Sequence, residues 1–265
     1  GSGEGISGGS GNYLDLLIKV NKTQKEVDDL EERLITVESN IGGEASVPSA
    51  WQSAVEECIT NIKSHQVGIH CVTFPFFSDH HVRGGYTGLL ISKVMKECNI
   101  PYCFFGGDSI SNGYIEEEET MINQELQFKK LMSYIPEGRF HRTLGNHDGY
   151  MIHKEGDNVL WDRDRIYELF MRDNGLSQLA YFGDDGTYFY VNDIPSKTRF
   201  IVLNSNKNFN SEQLNWLQNV AMKFDQPGWG IVFISHQGIS NHYHSNIANV
   251  DEVRTILTNY KNGAD

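Results

Sequence analysis

The sequence is short of basic residues and cysteines, and it has no long apolar run. Its 22 Lys and Arg against 35 Asp and Glu give a formal net charge of −13. This balance disfavours a nucleic acid as partner, because phosphate backbones attract basic surfaces. The four cysteines have no CxxC spacing, so we expect reduced, buried thiols rather than a disulfide framework. No apolar stretch approaches the ~18 residues of a membrane-spanning helix, and we expect no membrane association.

The N-terminal part divides into a leader and a heptad repeat. Residues 1–12 are rich in Gly and Ser and lack the charged and apolar regions of a signal peptide, so we interpret them as a flexible leader or a cloning scar. Residues 13–42 carry a seam at alternating spacings of three and four, formed by Tyr13, Leu16, Val20, Thr23, Val27, Leu30, Leu34, Val37 and Ile41. The seam predicts a coiled coil that joins two or three chains. The alternative is one amphipathic helix docked on the globular domain.

A glycine-rich break before Pro48 marks the start of a globular domain over residues 48–265. The patterns predict helices near 50–64, 86–98, 115–134, 162–173, 211–224 and 250–261, and strands near 69–78, 101–105, 139–144, 179–182, 187–192, 199–204 and 229–235. Asn210 and Gln213 have the spacing of a helix capping box. Strand–helix alternation followed by a β-meander predicts the α/β class, with a layered domain and two stacked sheets.

Four short polar segments, each at the end of an apolar strand-like run, point to the chemistry of this chain. They are Asp79-His80-His81, Gly107-Asp108, Gly145-Asn146-His147-Asp148 and Ser235-His236. In open α/β sheets, ligands bind at the carboxyl ends of strands, so we expect the four segments to meet at one edge. Carboxylate, amide and imidazole donors gathered there are what a two-metal hydrolase needs.

Five of these residues are candidate metal ligands. Asp79 and His81 are two residues apart and can reach one metal, whereas the two oxygens of Asp108 can bridge two cations. Asn146 offers a neutral amide oxygen, and His236 supplies a further imidazole. This mixed shell of nitrogen and oxygen suits Mn, Fe, Zn or Ni better than an all-oxygen shell would.

Two more residues are candidate catalytic groups. His147 would lie beside the metals without having to ligate them, and it could protonate a leaving group. Asp148 could orient its ring. His141, in the preceding strand, is interpreted instead as a core or surface histidine whose hydrogen bonds are satisfied.

In their order and spacing, the four segments resemble the first signatures of the calcineurin-like metallophosphoesterases, from about residue 69 onward. The resemblance implies a layered α/β/β/α sandwich and a site for two divalent metal ions. It assigns Asp79, His81 and Asp108 to the first metal. It assigns Asp108, Asn146 and His236 to the second.

The same resemblance makes His147 an acid or a transition-state stabiliser, with Asp148 behind it. The family also has a fifth signature, Gly-His-x-His, which completes both metal sites. The remaining HxH of this sequence is His242-Tyr243-His244, which lacks the glycine. His242 and His244 are therefore either metal or substrate ligands or loop residues near the mouth of the site. The expected strand would begin where the sequence stops at Asp265, so we expect a domain truncated before its last motif.

The run Phe104-Phe105-Gly106-Gly107-Asp108 and the helix after it are similar to phosphoesterase domains of bacteriophage tail and baseplate proteins, and an upstream coiled coil fits such a component. We expect a metal-dependent phosphoesterase that hydrolyses a phosphodiester or a phosphomonoester. It would be located in a virion tail, with other tail or baseplate proteins as partners, if that resemblance holds, and in the cytoplasm otherwise. The alternative is a catalytically incomplete structural or adhesion module of a phage tail-like assembly. A nuclease is disfavoured by the acidic composition.

Deletion of residues 1–42 tests the predicted coiled coil. Without the apolar seam nothing in the sequence pattern joins the chains, so an oligomer of two or three chains should become a monomer. Multi-angle light scattering measures the mass directly. A control with Lys22 and Lys25 replaced by Gln changes positions outside the seam and should keep the oligomer. The same number of chains per particle after the deletion would contradict the prediction.

Overall fold

The computed structural model describes residues 46–66, 71–111, 118–148, 150–152, 158–160, 163–172, 180–183, 186–205, 208–224, 227–239 and 248–261. The predicted leader, the predicted coiled coil, His242 and His244 lie outside the described residues. The elements below all belong to one unit, formed by Val47–Val82 and Tyr86–Asp265.

The predicted helices and strands occur in the predicted order, with two further short strands between the third predicted strand and the fourth predicted helix. The helices are α1 (Ser49–His65), α2 (Thr87–Cys98), α3 (Glu118–Met132), α4 (Arg163–Ile166, continued by a π-helical turn over Tyr167–Met171), α5 (Ser211–Trp216, continued by a π-helical turn over Leu217–Ala221) and α6 (Val250–Lys261). The strands are β1 (Phe76–Phe77), β2 (Cys103–Phe105), β3 (Phe140–Arg142), β4 (Tyr150–Ile152), β5 (Asn158–Leu160), β6 (Ala180–Phe182), β7 (Phe189–Asp193), β8 (Thr198–Val202) and β9 (Gly230–Ile234).

The described strands form two sheets and a hairpin. The first sheet has the order β1-β2-β3 with all strands parallel, and Phe77 lies opposite Phe105. The second sheet has the order β6-β7-β8-β9; β6, β7 and β8 are antiparallel, and β9 runs parallel to β8. Strands β4 and β5 pair antiparallel with each other. The four predicted ligand segments follow β1, β2, β3 and β9. Each of these strands pairs parallel with a neighbour, so the carboxyl ends of β1, β2 and β3 lie at one edge of the first sheet.

Side-chain alternation along the strands builds three apolar layers. In β2, Phe104 faces the core between the two sheets, whereas Phe105 packs on the other face of the first sheet against α2 and α3. In β8, Phe200 faces the inter-sheet core and Ile201 packs against α5 and α6. Rings of Phe104 and Phe200 stack with centroids 4.6 Å apart across the sheets. The predicted α/β/β/α sandwich is confirmed.

Two strand predictions differ from the structure. The first strand was expected over 69–78, but within the described residues 71–78 ladder pairing is confined to Phe76–Phe77. Pro75 precedes it, and proline has no N–H to extend the ladder, although its carbonyl still accepts a hydrogen bond from the Phe104 amide at 3.0 Å. The β4–β5 hairpin was not predicted, because each strand has only three residues and gives little periodicity.

The capping box predicted for α5 forms only in part. Asn210 Oδ1 accepts a hydrogen bond from the Gln213 amide at 2.8 Å, as expected of an N-cap. The Gln213 side chain does not complete the box: it is buried and pairs with the backbone of Asn204, accepting from its amide and donating to its carbonyl, both at 2.9 Å. The sequence spacing therefore located the helix start but not the tertiary partner of Gln213.

The thiols agree in part with the expectation from composition. All four cysteines are free; Cys98 and Cys103 are buried as expected, whereas Cys58 and Cys71 are exposed. Among the described residues, none of the helices has the length and apolar character needed to cross a membrane.

His141 of β3 departs from the prediction that its hydrogen bonds are satisfied. Its side chain is fully buried, and neither ring nitrogen has a hydrogen-bond partner. The rings of Tyr102, Phe104 and Phe189 surround it at centroid distances of 5.7, 5.3 and 6.0 Å. Burial lowers the pKa of His141 to about 4.

Replacement of His141 by Phe should remove an acid-linked loss of stability. The unfolded chain protonates this histidine near pH 6.5, whereas the folded chain does so only near pH 4. The contribution of His141 to the free energy of unfolding is therefore greatest above pH 6.5. It is lost as the pH falls from 6.5 to about 4, by on the order of 3 kcal/mol in total. Urea unfolding at neutral pH and at the lower end of this range measures the loss. The exposed His65, replaced by Phe, is the control, and a pH profile of the His141→Phe variant parallel to wild type would contradict the prediction.

Candidate metal centre

The loops that follow β1 and β2 are joined by backbone hydrogen bonds. The amide of Asp79 donates to the carbonyl of Gly107 at 2.9 Å, the amide of His81 to that of Asp108 at 3.0 Å, and the amide of Val82 to that of Ser109 at 3.0 Å. This pairing continues beyond the parallel strands themselves. It holds two predicted ligand segments side by side.

The backbone of these two loops is strained. Asp79, His81, Val82 and Asp108 have φ values of 56°, 49°, 54° and 62°, in the left-handed region that side chains other than glycine seldom adopt. The conformation is most costly for Val82, whose side chain is β-branched and buried. Each strained residue costs of order 1–3 kcal/mol and persists only where its surroundings impose it. The interloop hydrogen bonds are that constraint here.

Two glycines allow the loops after β2 and β3 to touch. A Cβ on Gly145 would lie 2.1 Å from Asp108 Oδ1, and a Cβ on Gly107 would lie 2.4 Å from the Gly145 nitrogen. Gly107 also has a φ of 96°. The Asp108 carboxylate is therefore packed directly against the backbone of the loop that carries Asn146 and His147.

Asp108 lies at the middle of the site. Its side chain is almost completely buried, and Oδ1 accepts a hydrogen bond from the His147 amide at 2.8 Å. Oδ2 faces three imidazoles: it lies 3.4 Å from Nε2 of His236 and 3.9 Å from Nε2 of both His81 and His147. Burial, and secondly the Asp148 charge, raise the pKa of Asp108. A cation near Oδ2 would reverse this effect.

Hydrogen bonds to carbonyl oxygens orient two of the histidines. Nδ1 of His81 donates to the Ile110 carbonyl at 2.8 Å, and Nδ1 of His236 donates to the Gly106 carbonyl at 2.9 Å. Each ring therefore turns an Nε2 lone pair toward Asp108 when it is neutral. Metal-binding histidines have this arrangement, because the second nitrogen needs a fixed acceptor.

The converging donors fit a divalent cation. Nε2 of His236 lies 2.9 Å from Asn146 Oδ1 and 3.4 Å from Asp108 Oδ2. In the neutral tautomer set by Gly106, all three atoms offer lone pairs, and a cation between them would satisfy all three. The side-chain geometry forms two overlapping groups of potential ligands that share Asp108: His81, Asp108 and His147, and Asp79, Asp108 and His236.

The structure brings together all the predicted ligands that it describes. Asp79 is the most exposed of them, with 56% of its side chain accessible, and its Oδ1 lies 4.0 Å from His81 Nε2. His147 is as close to Asp108 as His81 is, and the two rings lie 4.9 Å apart. Distance alone does not separate the predicted proton donor from the predicted ligands, and its role stays a prediction.

Asp148 is fully buried, and its carboxylate accepts hydrogen bonds from backbone amides of two loops. Its Oδ2 accepts hydrogen bonds from the amides of Asp108 and Gly145, each at 2.9 Å, and its Oδ1 accepts from the Ser109 amide at 3.0 Å and the Ser109 hydroxyl at 2.8 Å. It thereby joins the loops after β2 and β3. The predicted orientation of the His147 ring by Asp148 stays a prediction.

Sequence reasoning missed three buried polar residues beneath the centre: Ser109, Glu125 and Arg142. A signal for two of them was present. Arg142 lies within the predicted strand 139–144, between Phe140 and Leu144, and Glu125 occupies a position between Met121 and Phe128 on the apolar face of α3. Buried charges seldom occur unless they are paired. Full burial raises the pKa of Glu125 to about 7, against the opposing effect of the Arg142 guanidinium.

Comparison with known proteins agrees with this geometry. The family model described as calcineurin-like phosphoesterase matches residues 73–264. A search of curated proteins finds no significant match.

Replacement of Gly145 by Ala should weaken metal binding by about tenfold or more, because the new Cβ would displace the Asp108 carboxylate. Equilibrium dialysis against Mn²⁺ measures the affinity, and circular dichroism confirms that the variant is folded. The matched control is Gly230→Ala in β9, where a Cβ would meet the Thr198 hydroxyl at an ordinary 3.7 Å. Equal Mn²⁺ affinities for the two variants would contradict the geometry.

Proposed function

Since this chain belongs to the calcineurin-like phosphoesterase family, we propose that it is a metal-dependent hydrolase of phosphate esters that uses two divalent cations. The Asp108 carboxylate carries the proposal. One of its oxygens is held by a backbone amide, and the other faces the Nε2 atoms of three histidines. A carboxylate so placed can join two cations.

The ligands divide around Asp108. By the family resemblance, Asp79, His81 and Asp108 would hold one cation, and Asp108, Asn146 and His236 would hold the other. When bound, the divalent cations would polarise a phosphoryl group and lower the pKa of water. Mn, Fe, Zn or Ni suits this mixture of oxygen and nitrogen donors.

His147 donates the proton to the leaving group. Its side chain is 21% exposed, so its ring is accessible to a substrate at the centre. The oxygen that departs from a phosphate ester needs a proton, which an imidazolium can supply. Asp148 supports this step by holding the Gly145 amide of the same loop.

The substrate is a phosphodiester or a phosphomonoester. The net charge of −13 supports a substrate other than a nucleic acid. Metal-lined sites bind such esters through their phosphate oxygens, so the local charge at the centre counts for more than the net charge of the chain.

The wider context follows from the heptad pattern. Residues 13–42 would associate two or three chains and place the phosphoesterase domains in one particle, as expected of a phage tail component in a virion. The second candidate function is a structural or adhesion module of such an assembly without turnover. The sequence favours it in one respect, because His242-Tyr243-His244 lacks the glycine of the fifth signature.

Asp108→Asn and His147→Ala should each lower hydrolysis of bis-p-nitrophenyl phosphate in Mn²⁺ by ~100-fold or more, because the first loses the bridging charge and the second the proton donor. Inductively coupled plasma mass spectrometry on the same samples should show metal loss for Asp108→Asn. The control is Asp251→Asn, which removes a carboxylate that is 88% exposed on α6.

Wild-type turnover in both site variants would overturn the assignment of these residues. Wild-type protein that binds metal but hydrolyses neither a phosphodiester nor a phosphomonoester would favour the structural module instead.

A further inference from the structure

A group of charged and polar side chains lies buried beneath the metal centre. Ser109, Glu125 and Asp148 are 0% exposed, and Arg142 is 1% exposed. They come from α3, from β3 and from the loops after β2 and β3. None of them is a metal ligand in the function proposed above.

Glu125 and Arg142 form the lower part of this group. Arg142 Nη1 donates to Glu125 Oε1 at 2.5 Å, and Arg142 Nη2 donates to the Ser109 hydroxyl at 2.7 Å. The same hydroxyl lies 2.7 Å from Glu125 Oε2. Glu125 therefore contacts the Arg142 guanidinium and also the Ser109 hydroxyl, which itself accepts a hydrogen bond from Arg142.

The upper part of the group reaches the ligand loops. The Ser109 hydroxyl lies 2.8 Å from Asp148 Oδ1, and Arg142 Nη2 lies 3.7 Å from Asp148 Oδ2. The Asp148 carboxylate in turn accepts the amides of Asp108, Ser109 and Gly145. An unbroken chain of polar contacts thus links α3 to the backbone of the residue that bridges the two ligand groups.

The surroundings fix the guanidinium in place. Its central carbon lies 5.6, 5.1 and 5.3 Å from the ring centroids of Phe105, Phe128 and Phe170. Aromatic faces attract a cation but offer no hydrogen-bond acceptor of carboxylate strength. Without Glu125, the Arg142 guanidinium would lack its carboxylate acceptor. The other carboxylate within 4 Å of it among the described residues is Asp148.

We propose that Glu125 is a positioning residue of the metal centre: it keeps Arg142 from drawing the Asp148 carboxylate away from the amides of Asp108 and Gly145. The inference rests on the proposed metal site. A purely structural Glu125–Arg142 pair would stabilise the fold without affecting the ligands. A positioning pair sets the metal affinity even in protein that is fully folded.

The variant Glu125→Gln keeps the size of the side chain and removes its charge. Mn²⁺ alone is the probe, measured by equilibrium dialysis of the full chain, with urea unfolding as the parallel measure of stability. We expect Mn²⁺ binding 10–100-fold weaker than in wild type, the range typical of lost outer-shell partners. The control is Arg199→Met in β8, which removes another buried guanidinium, held by the rings of Tyr190 and Phe224 and by the carbonyls of Ala221 and Lys223. It should lose stability but keep Mn²⁺ affinity.

A double variant, Glu125→Gln with Arg142→Met, covers the case in which the single variant does not fold. It removes both charges and should recover stability, because no unpaired buried cation remains. It should recover Mn²⁺ affinity in part, because nothing then competes for Asp148.

Three outcomes decide the proposal. Weaker Mn²⁺ binding in Glu125→Gln together with wild-type affinity in Arg199→Met supports it. Wild-type affinity in the folded single variant overturns it and leaves the proposed function intact. So does a double variant that binds Mn²⁺ about 100-fold or more weakly than wild type, whether or not the single variant folds. Wild-type protein that binds no Mn²⁺ overturns the metal site of the proposed function and this inference together.

Discussion

The geometry of the centre depends on the buried Asp148 carboxylate. Burial of a carboxylate costs free energy unless hydrogen-bond donors replace the water that it loses. For the buried Asp148, the backbone amides of Asp108, Ser109 and Gly145 are these donors, and Asp148 in turn is their acceptor. These amides belong to the loops after β2 and β3. Separation of the loops would take the amides of Asp108 and Ser109 away from the buried Asp148 carboxylate. The positions of Asp108 and of Asn146, which follows Gly145, are therefore coupled through one side chain that touches neither substrate nor metal in the proposed mechanism.

His236 is held to the same centre by a different force. It follows β9 of the second sheet, whereas Asp79, Asp108 and Asn146 follow strands of the first. The two sheets are joined by apolar packing, with the Phe104 and Phe200 rings in contact, and His236 Nδ1 then reaches the Gly106 carbonyl of the first sheet. Packing in the core between the two sheets therefore sets the position of His236 relative to the ligands of the first sheet.

The sequence predicted what local patterns encode. Each ligand segment follows an apolar run, so strand-end placement could be predicted, and parallel pairing then brought Asp108 and Asn146 together. The Glu125–Arg142 pair could not be found this way, because a residue in a helix and one in a strand are joined only by tertiary contact. The sequence analysis also missed the short length of β1 and the absence of hydrogen bonds to the His141 ring. The reason is the same, because a hydrophobic pattern shows which residues are apolar but not which polar groups find hydrogen-bond partners.

Electrostatics explains why such a centre should hold cations rather than remain a polar cavity. Asp79, Asp108, Asp148 and Glu125 bring four carboxylates, and Arg142 is the one guanidinium within the described contacts of this group. The Asp148 charge and burial both disfavour ionised Asp108. A divalent cation near Oδ2 would offset both effects, and the left-handed loops around it already hold the candidate ligands in place. Because these ligands need little further ordering and the unfolded chain has no such site, metal binding would add to the free energy of unfolding.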